Sequence, residues 1–392
     1  MSHAPSVLVV AAEESSCKYA VRVMRGLKHE LGHDVRFWGV GNLEMRNQGF
    51  KALAHSEDMA VMGLFEIFKI QALIRQALKN ILEEVDKNPP KVALLLDYGG
   101  FNLHLAQALK ARNIPVVYYV LPKVWAWRKK RALKIKAYVD HALAIHPFEE
   151  KFFADLGVKA TFVGHPLLEE KQDFLNKKFD VQELKRSLNM KEGPVLGLMP
   201  GSRNSEVSRH FNLMLEAAQK IKKVHADLQV VVLLAPAFTP EGLKNQISAQ
   251  CDLPLHFIKR DSWDMIGLCD FLITASGTAT LQVGLLQKPQ VVVYKMNPLS
   301  ARLARIVVKI PFFSLINLIL NKNAVTELFQ GDANPEAISQ EVLELMKKTE
   351  RYTQLLGDYS HLEAEMQKTS ATTEVVKILK QYLSQKNQDV QV

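Results

Sequence analysis

Short runs of apolar, mostly β-branched residues alternate along the chain with longer stretches in which apolar residues recur at helical spacing. Stretches 19–31 and 102–111 show the helical spacing. Several of the short runs are apolar throughout, which is typical of strands covered on both faces of a sheet. The alternation predicts an α/β protein with parallel sheets and crossover helices. The predicted strands are 7–11, 35–40, 92–97, 115–120, 141–145 and 161–163, followed by 195–199, 230–234, 271–274 and 291–294.

A polar, lysine-rich stretch from 169 to 193 interrupts this alternation. It offers little apolar material for a core, and 392 residues exceed the size of one typical core. We therefore predict two doubly wound, Rossmann-like domains. The first spans 1–170, a linker spans 171–193, the second domain spans 194–345, and a polar helical tail over 346–392 could pack back on the first domain.

Two turns in the predicted second domain have the composition of anion sites. Segment 200–206 follows a strand, contains Ser202 and Arg203, and leads into a helix, while segment 275–282 follows another strand with small and hydroxyl residues. Free N–H groups at a helix N-terminus bind anions, and the guanidinium of Arg203 suits phosphate oxygens. The first segment could also be an ordinary strand–helix loop. Two such turns in one domain predict a nucleotide diphosphate, contacted in the second turn by Ser276, Gly277, Thr278, Ala279 and Thr280.

The sequence lacks the usual motifs that bind the phosphates of a nucleotide. Neither turn contains the glycine pattern of a dinucleotide site or of a P-loop. The chain also has no Asp-x-Asp triplet, the usual divalent-metal clamp for a sugar nucleotide. We therefore expect protein groups rather than a metal to hold the phosphates, and we expect no cofactor.

Two carboxylates, Asp97 and Glu13, stand at or just after the ends of predicted strands. In an open α/β sheet, ligands bind outside the carboxyl ends of the strands, so either group is a candidate general base. Asp97 precedes a tyrosine and two glycines, which would leave room for a substrate. For each carboxylate, capping of the following helix is an equally good explanation. His165, set in a glycine–proline turn, is of a kind that is more often structural than catalytic.

The net charge of +9 calls for an anionic partner, which could be nucleic acid, a membrane surface or a small substrate. Segment 123–136 carries seven basic residues and no acidic one, with two tryptophans among them. Such a segment suits single-stranded nucleic acid or anionic headgroups, although a merely solvated face is also open. The apolar cluster 61–68 is either core or an exposed apolar entry site. The residues expected at a lipid surface are Trp125, Trp127, Arg128, Lys129, Lys130, Met62, Leu64, Phe65, Phe68, Arg302 and Arg305.

Three features of the sequence bear on the cellular compartment: the cysteines, the length of the apolar runs and the N-terminus. Cys17, Cys251 and Cys269 are widely spaced and form no CxxC pair, which favours a reducing compartment over disulfides or structural zinc. No apolar run reaches the ~18 residues of a membrane span, since the nearest candidate, 306–320, is interrupted by a lysine and a proline. The N-terminus lacks the basic and apolar regions of a signal peptide. We expect a cytoplasmic protein.

Seven motifs, in their order and spacing over roughly residues 6–330, resemble the lipid-A-disaccharide synthase family. Each motif is weak by itself, and together they are specific. They are Ala-Val-Met-Gly at 60–63, Val-Trp-Ala-Trp-Arg at 124–128, Pro-Phe-Glu at 147–149, Phe-Val-Gly-His-Pro-Leu at 162–167, Pro-Gly-Ser-Arg at 200–203 with Glu206, Ala-Ser-Gly-Thr-Ala at 275–279, and Ser-Leu at 314–315 with Asn317.

The resemblance implies a GT-B glycosyltransferase, with two Rossmann-like domains facing a central cleft. It would join UDP-2,3-diacylglucosamine to 2,3-diacylglucosamine 1-phosphate, giving UDP and a β-1,6-linked disaccharide 1-phosphate with inversion and no metal. Asp97 would be the essential aspartate, Arg203 and Glu206 the nucleotide pair, 276–280 the diphosphate turn and Asn317 a further polar position. The first domain would face the acceptor and the lipid, and the second would bind the UDP-sugar.

The resemblance also implies partners for the positive charge. Both substrates are anionic lipids, so the protein would lie peripherally on the inner face of the inner membrane of a Gram-negative bacterium. No nucleic acid would be involved. The protein could also form a homodimer.

The chain departs from the family pattern mostly on the acceptor side. Residues 12–17 keep only the glutamate and the first serine of the family's Gly-Glu-x-Ser-Gly-Asp turn, and Gly99 and Gly100 replace a Pro-Asp pair. Residues 121–123 lack the serines of a Ser-Pro-Ser motif, and Gln282 stands where a glutamate would hold the ribose. Two alternatives therefore stay open: a related GT-B enzyme acting on another UDP-sugar, such as an epimerase, and a non-catalytic lipid- or nucleotide-binding paralogue.

Overall fold

The structure is a computed structural model. Residue contacts divide the chain into two compact units, of which the first comprises Met1–Pro166 and Met366–Val392 and the second comprises Leu167–Glu365. The structure describes residues 4–32, 34–59, 67–127, 129–245, 253–260, 262–297 and 311–384.

The first unit contains a seven-stranded parallel sheet in the order β3-β2-β1-β4-β5-β6-β7. Its strands are β1 Ser6–Ala11, β2 Arg36–Gly41, β3 Lys51–His55, β4 Val92–Leu96, β5 Val116–Tyr119, β6 His141–Ala144 and β7 Ala160–Phe162. Its described helices up to Pro166 are α1 Glu14–Leu31, α2 Leu43–Asn47, α3 Ser56–Met59, α4 Ile67–Lys87, α5 Gly99–Lys110, α6 Val124–Trp127, α7 Lys129–Tyr138 and α8 Pro147–Asp155.

The central strand β1 shows why this sheet is apolar. Val7 and Val9 enter one core cluster while Leu8 and Val10 enter the other, because successive side chains alternate across a sheet. All residues of β1 are therefore buried, as an unbroken apolar run predicts.

The second unit contains a six-stranded parallel sheet in the order β10-β9-β8-β11-β12-β13. Its strands are β8 Val195–Met199, β9 Gln229–Leu233, β10 Leu255–Ile258, β11 Phe271–Ala275, β12 Gln290–Tyr294 and β13 Thr326–Phe329. Its described helices are α9 Leu167–Asn176, α10 Val181–Ser187, α11 Asn204–Val224, α12 Pro240–Lys244, α13 Ser262–Leu268, α14 Ala279–Leu285, α15 Leu315–Leu320, α16 Pro335–Met346 and α17 Glu350–Met366, whose last residue is counted with the first unit.

Both sheets follow the doubly wound pattern, in which the chain starts centrally, moves to one edge and then crosses back. In the first sheet the direction changes between β1 and β4, and in the second between β8 and β11. Ligands of such sheets bind outside the carboxyl ends of the strands at this point. Each unit therefore has one edge at which a functional site is expected.

The end of the chain completes the first unit. Helix α18, Ala371–Ser384, packs on α1, and Val375 and Leu379 lie in the same core cluster as the inner face of α1. The helices approach closely at Gly26, where an added Cβ would stand 2.8 Å from Val376 Cγ2.

All ten predicted strands are present, with ends that differ from the prediction by no more than one residue. The prediction missed β3, β10 and β13, which are edge strands. The ends of β3 are exposed and β13 is half-buried throughout, so these strands lack the unbroken apolar run of a strand covered on both faces.

The stretch 171–193 contains most of α9 and the whole of α10, and it is grouped with the second unit. Phe174 and Leu184 are buried, and the ring of Phe174 lies 6.3 Å from that of Trp263. A few apolar side chains are thus enough to attach these otherwise polar helices to the α/β layers.

Candidate functional site

The two carboxylates singled out in the sequence meet at one edge of the first sheet. Strands β1 and β4 are neighbours, with Ala11 aligned to Leu96, so Glu13 and Asp97 follow adjacent strand ends. Burial raises the pKa of Tyr98, and the carboxylate of Glu13 adds to this effect. The structure therefore brings both candidate bases to the point where the strand order changes direction.

The backbone at Asp97 and Tyr98 is strained and held in place. Both residues are in the left-handed region, with φ of 47° and 44°, a conformation that costs non-glycine residues on the order of 1–3 kcal/mol each. The hydroxyl of Tyr118 donates to the Asp97 carbonyl at 2.6 Å, and Asn102 Nδ2 donates to the same carbonyl at 2.8 Å and to that of Leu96 at 3.0 Å. Tyr118 and Asn102 are fully buried.

The two carboxylates differ in their relation to the following helix. Glu13 occupies the N-cap position of α1, where its N–H donates to Ser16 Oγ at 3.1 Å. Helix α5 starts at Gly99 with Tyr98 in the N-cap position, so Asp97 lies one residue outside the cap. The capping explanation therefore suits Glu13 better than Asp97. Sequence reasoning missed Tyr118 and Asn102, because nothing local indicates that they contact Asp97.

The first turn of the second unit is folded around Glu206. The Glu206 carboxylate accepts from Ser202 N at 2.9 Å, from Arg203 N at 3.3 Å and from Arg203 Nη1 at 3.0 Å. Gly201, at φ 124°, makes this possible, because a Cβ there would stand 2.6 Å from Glu206 Cβ. The N–H groups that the sequence assigned to a phosphate are thus bonded to a carboxylate of the protein, and the 63% exposed Arg203 side chain is what this turn offers to an anion.

The second turn leaves a small open surface. Ser276 Oγ donates to Phe313 O at 3.0 Å, and Thr280 Oγ1 donates to Gly277 O at 2.8 Å, so these hydroxyls hold the turn in shape. Thr278 is exposed in the N-cap position of α14. Apart from the chain neighbours of Gly277, no described residue has an atom within 4 Å of where a Gly277 Cβ would stand, which leaves room for a ligand.

Asn317 is buried and its side chain is fully used within the protein. Its Nδ2 donates to Val325 O at 2.9 Å and to Glu327 Oε1 at 2.8 Å, while its Oδ1 accepts from Ala324 N and Val325 N. The Glu327 carboxylate also accepts from the main-chain N–H groups of 313 and 314. Asn317 therefore shapes the segment on which Ser276 rests, rather than facing a ligand itself.

His210 connects the first turn to the end of β12. Its ring is buried, with Nδ1 3.0 Å from Pro200 O and Nε2 accepting from Lys295 N at 2.8 Å. The second bond requires an unprotonated Nε2, so Nδ1 carries the proton and donates to Pro200. Burial lowers the pKa of His210, which favours this neutral form. Nothing in the local sequence indicates this link.

A model of the family described as lipid-A-disaccharide synthetase matches residues 7–379, including the sheets of both units. The lipid-A-disaccharide synthase of Myxococcus xanthus is 35% identical over 374 residues, covering 95% of this chain and 96% of that protein. The chain belongs to the lipid-A-disaccharide synthase family. The synthase of Anaeromyxobacter dehalogenans is 37% identical over 361 residues, with coverages of 92% and 90%. That of Coxiella burnetii is 32% identical over 375 residues, with coverages of 95% and 97%.

Solved structures show the fold that this synthase-family chain shares with other proteins. A UDP-GlcNAc 2-epimerase from Neisseria meningitidis, bound to UDP-GlcNAc, superposes with a TM-score of 0.67 at 12% identity, covering 96% of this chain and all of that one. A UGT transferase from Siraitia grosvenorii in complex with UDP has a TM-score of 0.62 at 10% identity, with coverages of 97% and 100%. The fold is thus the two-domain, Rossmann-like GT-B type.

The structure describes the surroundings of two departures from the synthase-family pattern, the pair Gly99–Gly100 and Gln282. An added Cβ on Gly99 would stand 2.9 Å from Pro122 Cβ, so the chain is close-packed there. Around a Cβ added on Gly100, by contrast, the described part of the chain places no atom within 4 Å other than those of the neighbouring residues. Gln282 Nε2 donates to Ser262 Oγ at 2.9 Å. A glutamine held through its amide nitrogen still offers a carbonyl oxygen to a hydroxyl group.

Among the residues that we expected at a lipid surface, Trp125 makes contacts with helix α8 of the first unit. Its Nε1 donates to Glu149 Oε1 at 3.0 Å, and its ring lies edge-on to Phe148 at 5.0 Å. The side chains of Phe68, Trp127, Lys129 and Lys130, which belong to helices α4, α6 and α7, are outside the described part of the structure. Met62, Leu64, Phe65, Arg128, Arg302 and Arg305 lie outside the described residues altogether.

Within the described ranges, no group of three or more histidine, cysteine or carboxylate side chains could hold a metal ion. Cys17 and Cys269 are buried free thiols, and Cys251 lies outside the described residues. Burial raises the pKa of Cys17 to about 11 and that of Cys269 to about 12, so neither is a reactive thiolate near neutral pH.

Proposed function

We propose that the chain is an inverting glycosyltransferase that joins UDP-2,3-diacylglucosamine to 2,3-diacylglucosamine 1-phosphate, giving lipid A disaccharide 1-phosphate and UDP. The observation that carries this proposal is the family match from residue 7 to residue 379, which includes the carboxyl-end turns of both sheets. Relatives named for this synthesis are 32% and 35% identical over nearly the whole of both chains.

The second unit would bind the donor. The exposed guanidinium of Arg203, oriented by Glu206, would contact the diphosphate and supply positive charge. The open surface at Gly277 and Thr278 would let the phosphates approach the second turn. The carbonyl oxygen of Gln282 would accept a hydrogen bond from a ribose hydroxyl, as a glutamate does.

The first unit would supply the base. The 6-hydroxyl oxygen of the acceptor would attack the anomeric carbon of the donor while Asp97 takes the hydroxyl proton. The bond between the anomeric carbon and the diphosphate oxygen breaks, UDP leaves, and the configuration inverts. Asp97 is favoured over Glu13 because it lies outside the helix cap, on a strained turn that buried side chains hold.

The substrates also give the positive charge a partner. We propose that the first unit faces the acceptor and an anionic membrane surface on the cytoplasmic side of the inner membrane, which a net charge of +9 would favour. Among the described residues, no helix is long and apolar enough to cross a membrane. The homodimer stays a prediction.

The test is an assay with defined lipids. Purified protein in detergent micelles, given both proposed substrates, should form a disaccharide 1-phosphate and one UDP for each disaccharide, measured by thin-layer chromatography and mass spectrometry. Turnover of UDP-N-acetylglucosamine without an acceptor would instead support an epimerase. Binding of UDP with no turnover of any of these substrates would support the non-catalytic paralogue.

A further inference from the structure

Three sequence motifs to which the proposed mechanism assigns no role meet at the carboxyl edge of the first sheet. Each lies at or shortly after the end of β5, β6 or β7, which are neighbouring strands. The Trp125 ring lies edge-on to Phe148 at 5.0 Å, and the Phe148 ring stacks on that of His146 at 5.5 Å. The His146 ring in turn lies 5.2 Å from that of His165. The motifs are 124–128, 147–149 and 162–167.

A buried carboxylate fixes Trp125 to the end of β6. Glu149 is buried, and its Oε1 accepts from Trp125 Nε1 at 3.0 Å. Its Oε2 accepts from the main-chain N–H groups of Ile145 and His146, at 3.2 and 3.1 Å. Leaving one partner of a buried hydrogen bond unsatisfied costs about 1–3 kcal/mol. The bond to Glu149 therefore restrains the position of the indole.

The chain between β5 and α6, residues 120–123, begins with a strained residue, and we call it the β5–α6 segment. Val120 is in the left-handed region at φ 58°. This conformation is rare for a β-branched residue and costs on the order of 1–3 kcal/mol. Such strain persists only where the surrounding structure holds it. At the far end of the segment, the hold includes the buried Val124 and the bond between Trp125 and Glu149.

The β5–α6 segment packs against the turn that carries Asp97. An added Cβ on Gly99 would stand 2.9 Å from Pro122 Cβ, so the two stretches of chain touch there. Asp97, two residues before Gly99, is itself strained at φ 47°, and its N–H donates to Tyr119 O at 3.3 Å. Two strained turns after neighbouring strands thus support each other, and a shift of one should move the other.

We propose that Trp125 and Glu149 are positioning residues for the base Asp97; this rests on the proposed function. Their indole–carboxylate bond holds the β5–α6 segment, and that segment holds the turn at Asp97. Neither residue has to contact a substrate for this role. A base displaced by a fraction of an ångström transfers a proton more slowly, so loss of the bond should lower turnover. Nucleotide binding, which we assign to the second unit, should not change.

The first experiment removes the bond and keeps a ring against Phe148. With both proposed substrates, Trp125→Phe should lower kcat about tenfold, while the KM of the acceptor and the affinity for UDP stay within about threefold of the wild type. Trp263→Phe is the matched control. Trp263 Nε1 donates to Glu170 Oε2 at 3.1 Å in the second unit, a bond of the same kind, so kcat of the control should stay near that of the wild type.

A double-variant cycle tests the path from Trp125 to Asp97. Gly99→Ala adds the Cβ that would meet Pro122, and so disturbs the same contact from the other side. Because both changes act on one contact, Gly99→Ala with Trp125→Phe should lower kcat by much less than the product of the two separate effects. Fully multiplicative effects would reject the path.

The remaining outcomes are distinguishable. An unchanged kcat in a folded Trp125→Phe protein would reject the positioning role, and an equal loss of kcat and of UDP affinity would show a general loss of structure instead. Should that variant fold poorly, Glu149→Gln serves in its place, because an amide cannot accept all three hydrogen bonds of the carboxylate.

If the wild type forms no disaccharide, the proposed function fails, and hydrogen exchange still tests the link between the two turns. Amide exchange in residues 97–102 should be faster in Trp125→Phe than in the wild type, and unchanged in Trp263→Phe. Equal exchange in all three proteins would overturn the inference.

Discussion

At the scale of single residues, Asp97 and Glu13 offer the same chemistry in different backbone settings. Glu13 caps α1, whereas Asp97 stands on a strained turn outside the cap of α5. Asp97→Asn keeps the size and removes the base, so turnover should fall by at least ~10²-fold while UDP affinity stays near normal. Glu13→Gln should have a smaller effect. Single-turnover kinetics with calorimetry checks both, and near-normal turnover in a folded Asp97→Asn protein would transfer the role to Glu13.

Tyr118 should matter to the same turn although it does not meet the substrate in the proposed mechanism. Tyr118→Phe keeps the buried ring and removes the 2.6 Å bond to the Asp97 carbonyl, leaving Asn102 to hold the strained residues. Because a misplaced base is costly, we expect turnover to fall about tenfold with little change in UDP affinity. Tyr119→Phe, on the same strand but in the opposite core, is the control. If both variants lose only stability, the hydroxyl of Tyr118 has no positioning role.

At the scale of elements, the turn between β8 and α11 offers one exposed cationic side chain to the nucleotide that we propose for it. The N–H groups of the turn are bonded to Glu206, so Arg203 is the group that we expect on the UDP diphosphate. Arg203→Ala should weaken UDP binding by roughly 1.5–3 kcal/mol, the scale of a charge-assisted hydrogen bond. Calorimetry measures this, with Arg186→Ala as a surface control. An unchanged affinity would remove Arg203 from the nucleotide site.

The junction between β6 and α8 should give stability a pH dependence of known sign. Glu149 is buried, and burial raises its pKa to about 7, although hydrogen bonds from Trp125 Nε1 and two main-chain N–H groups oppose the shift. Between pH ~4.5 and ~7 the folded protein holds a proton that the unfolded chain has lost, so this group makes stability fall as pH rises through that window. Glu149→Gln should abolish this contribution, which is on the order of 3 kcal/mol.

Urea unfolding of both proteins from pH 4.5 to pH 8 gives the measurement. Burial lowers the pKa of His146, and it lowers the pKa of His165 to about 3. These two histidines therefore make the stability of the folded protein fall as pH drops below ~6.5, which is opposite in direction to the effect of Glu149. Both histidines are present in the variant, so the difference between wild type and Glu149→Gln isolates the glutamate. A difference that does not change with pH would contradict the buried-acid account. Asp155→Asn, exposed at the end of α8, is the control.

What the sequence could predict follows from burial. Strands covered on both faces, such as β1 and β8, read as unbroken apolar runs, whereas edge strands such as β3 and β13 do not. The positions after the strand ends were predictable because parallel strands present their carboxyl ends at one edge. The side chains that hold those positions were not. His210 is ten residues from Pro200 and 85 from Lys295, separations that no local pattern records.

At the scale of the whole molecule, the chain builds two doubly wound sheets and then returns to the first. Residues 366–384 complete the first unit by packing α18 on α1. Each unit therefore has one sheet edge at which we propose a functional site, with the candidate base in the first unit and the proposed nucleotide turns in the second. The net charge of +9 is a property of the whole molecule. The proposed substrates, which are both anionic lipids, and an anionic membrane surface are the two partners that would explain it.

That charge predicts how the protein should bind membranes. Helix α7 exposes Lys134 and Lys136 within the basic segment 123–136, and each basic residue near an anionic surface is worth about 1 kcal/mol. Binding to vesicles that contain anionic lipid should therefore fall steeply with added salt, because charges are screened over about 8 Å at physiological ionic strength. Replacing both lysines by glutamine should weaken this binding by roughly tenfold or more. The same change at the exposed Lys177 and Lys178 of the second unit is the matched control. If vesicle binding does not change with salt, or is equally tight to neutral vesicles, the positive charge would act on the substrates and not on the membrane.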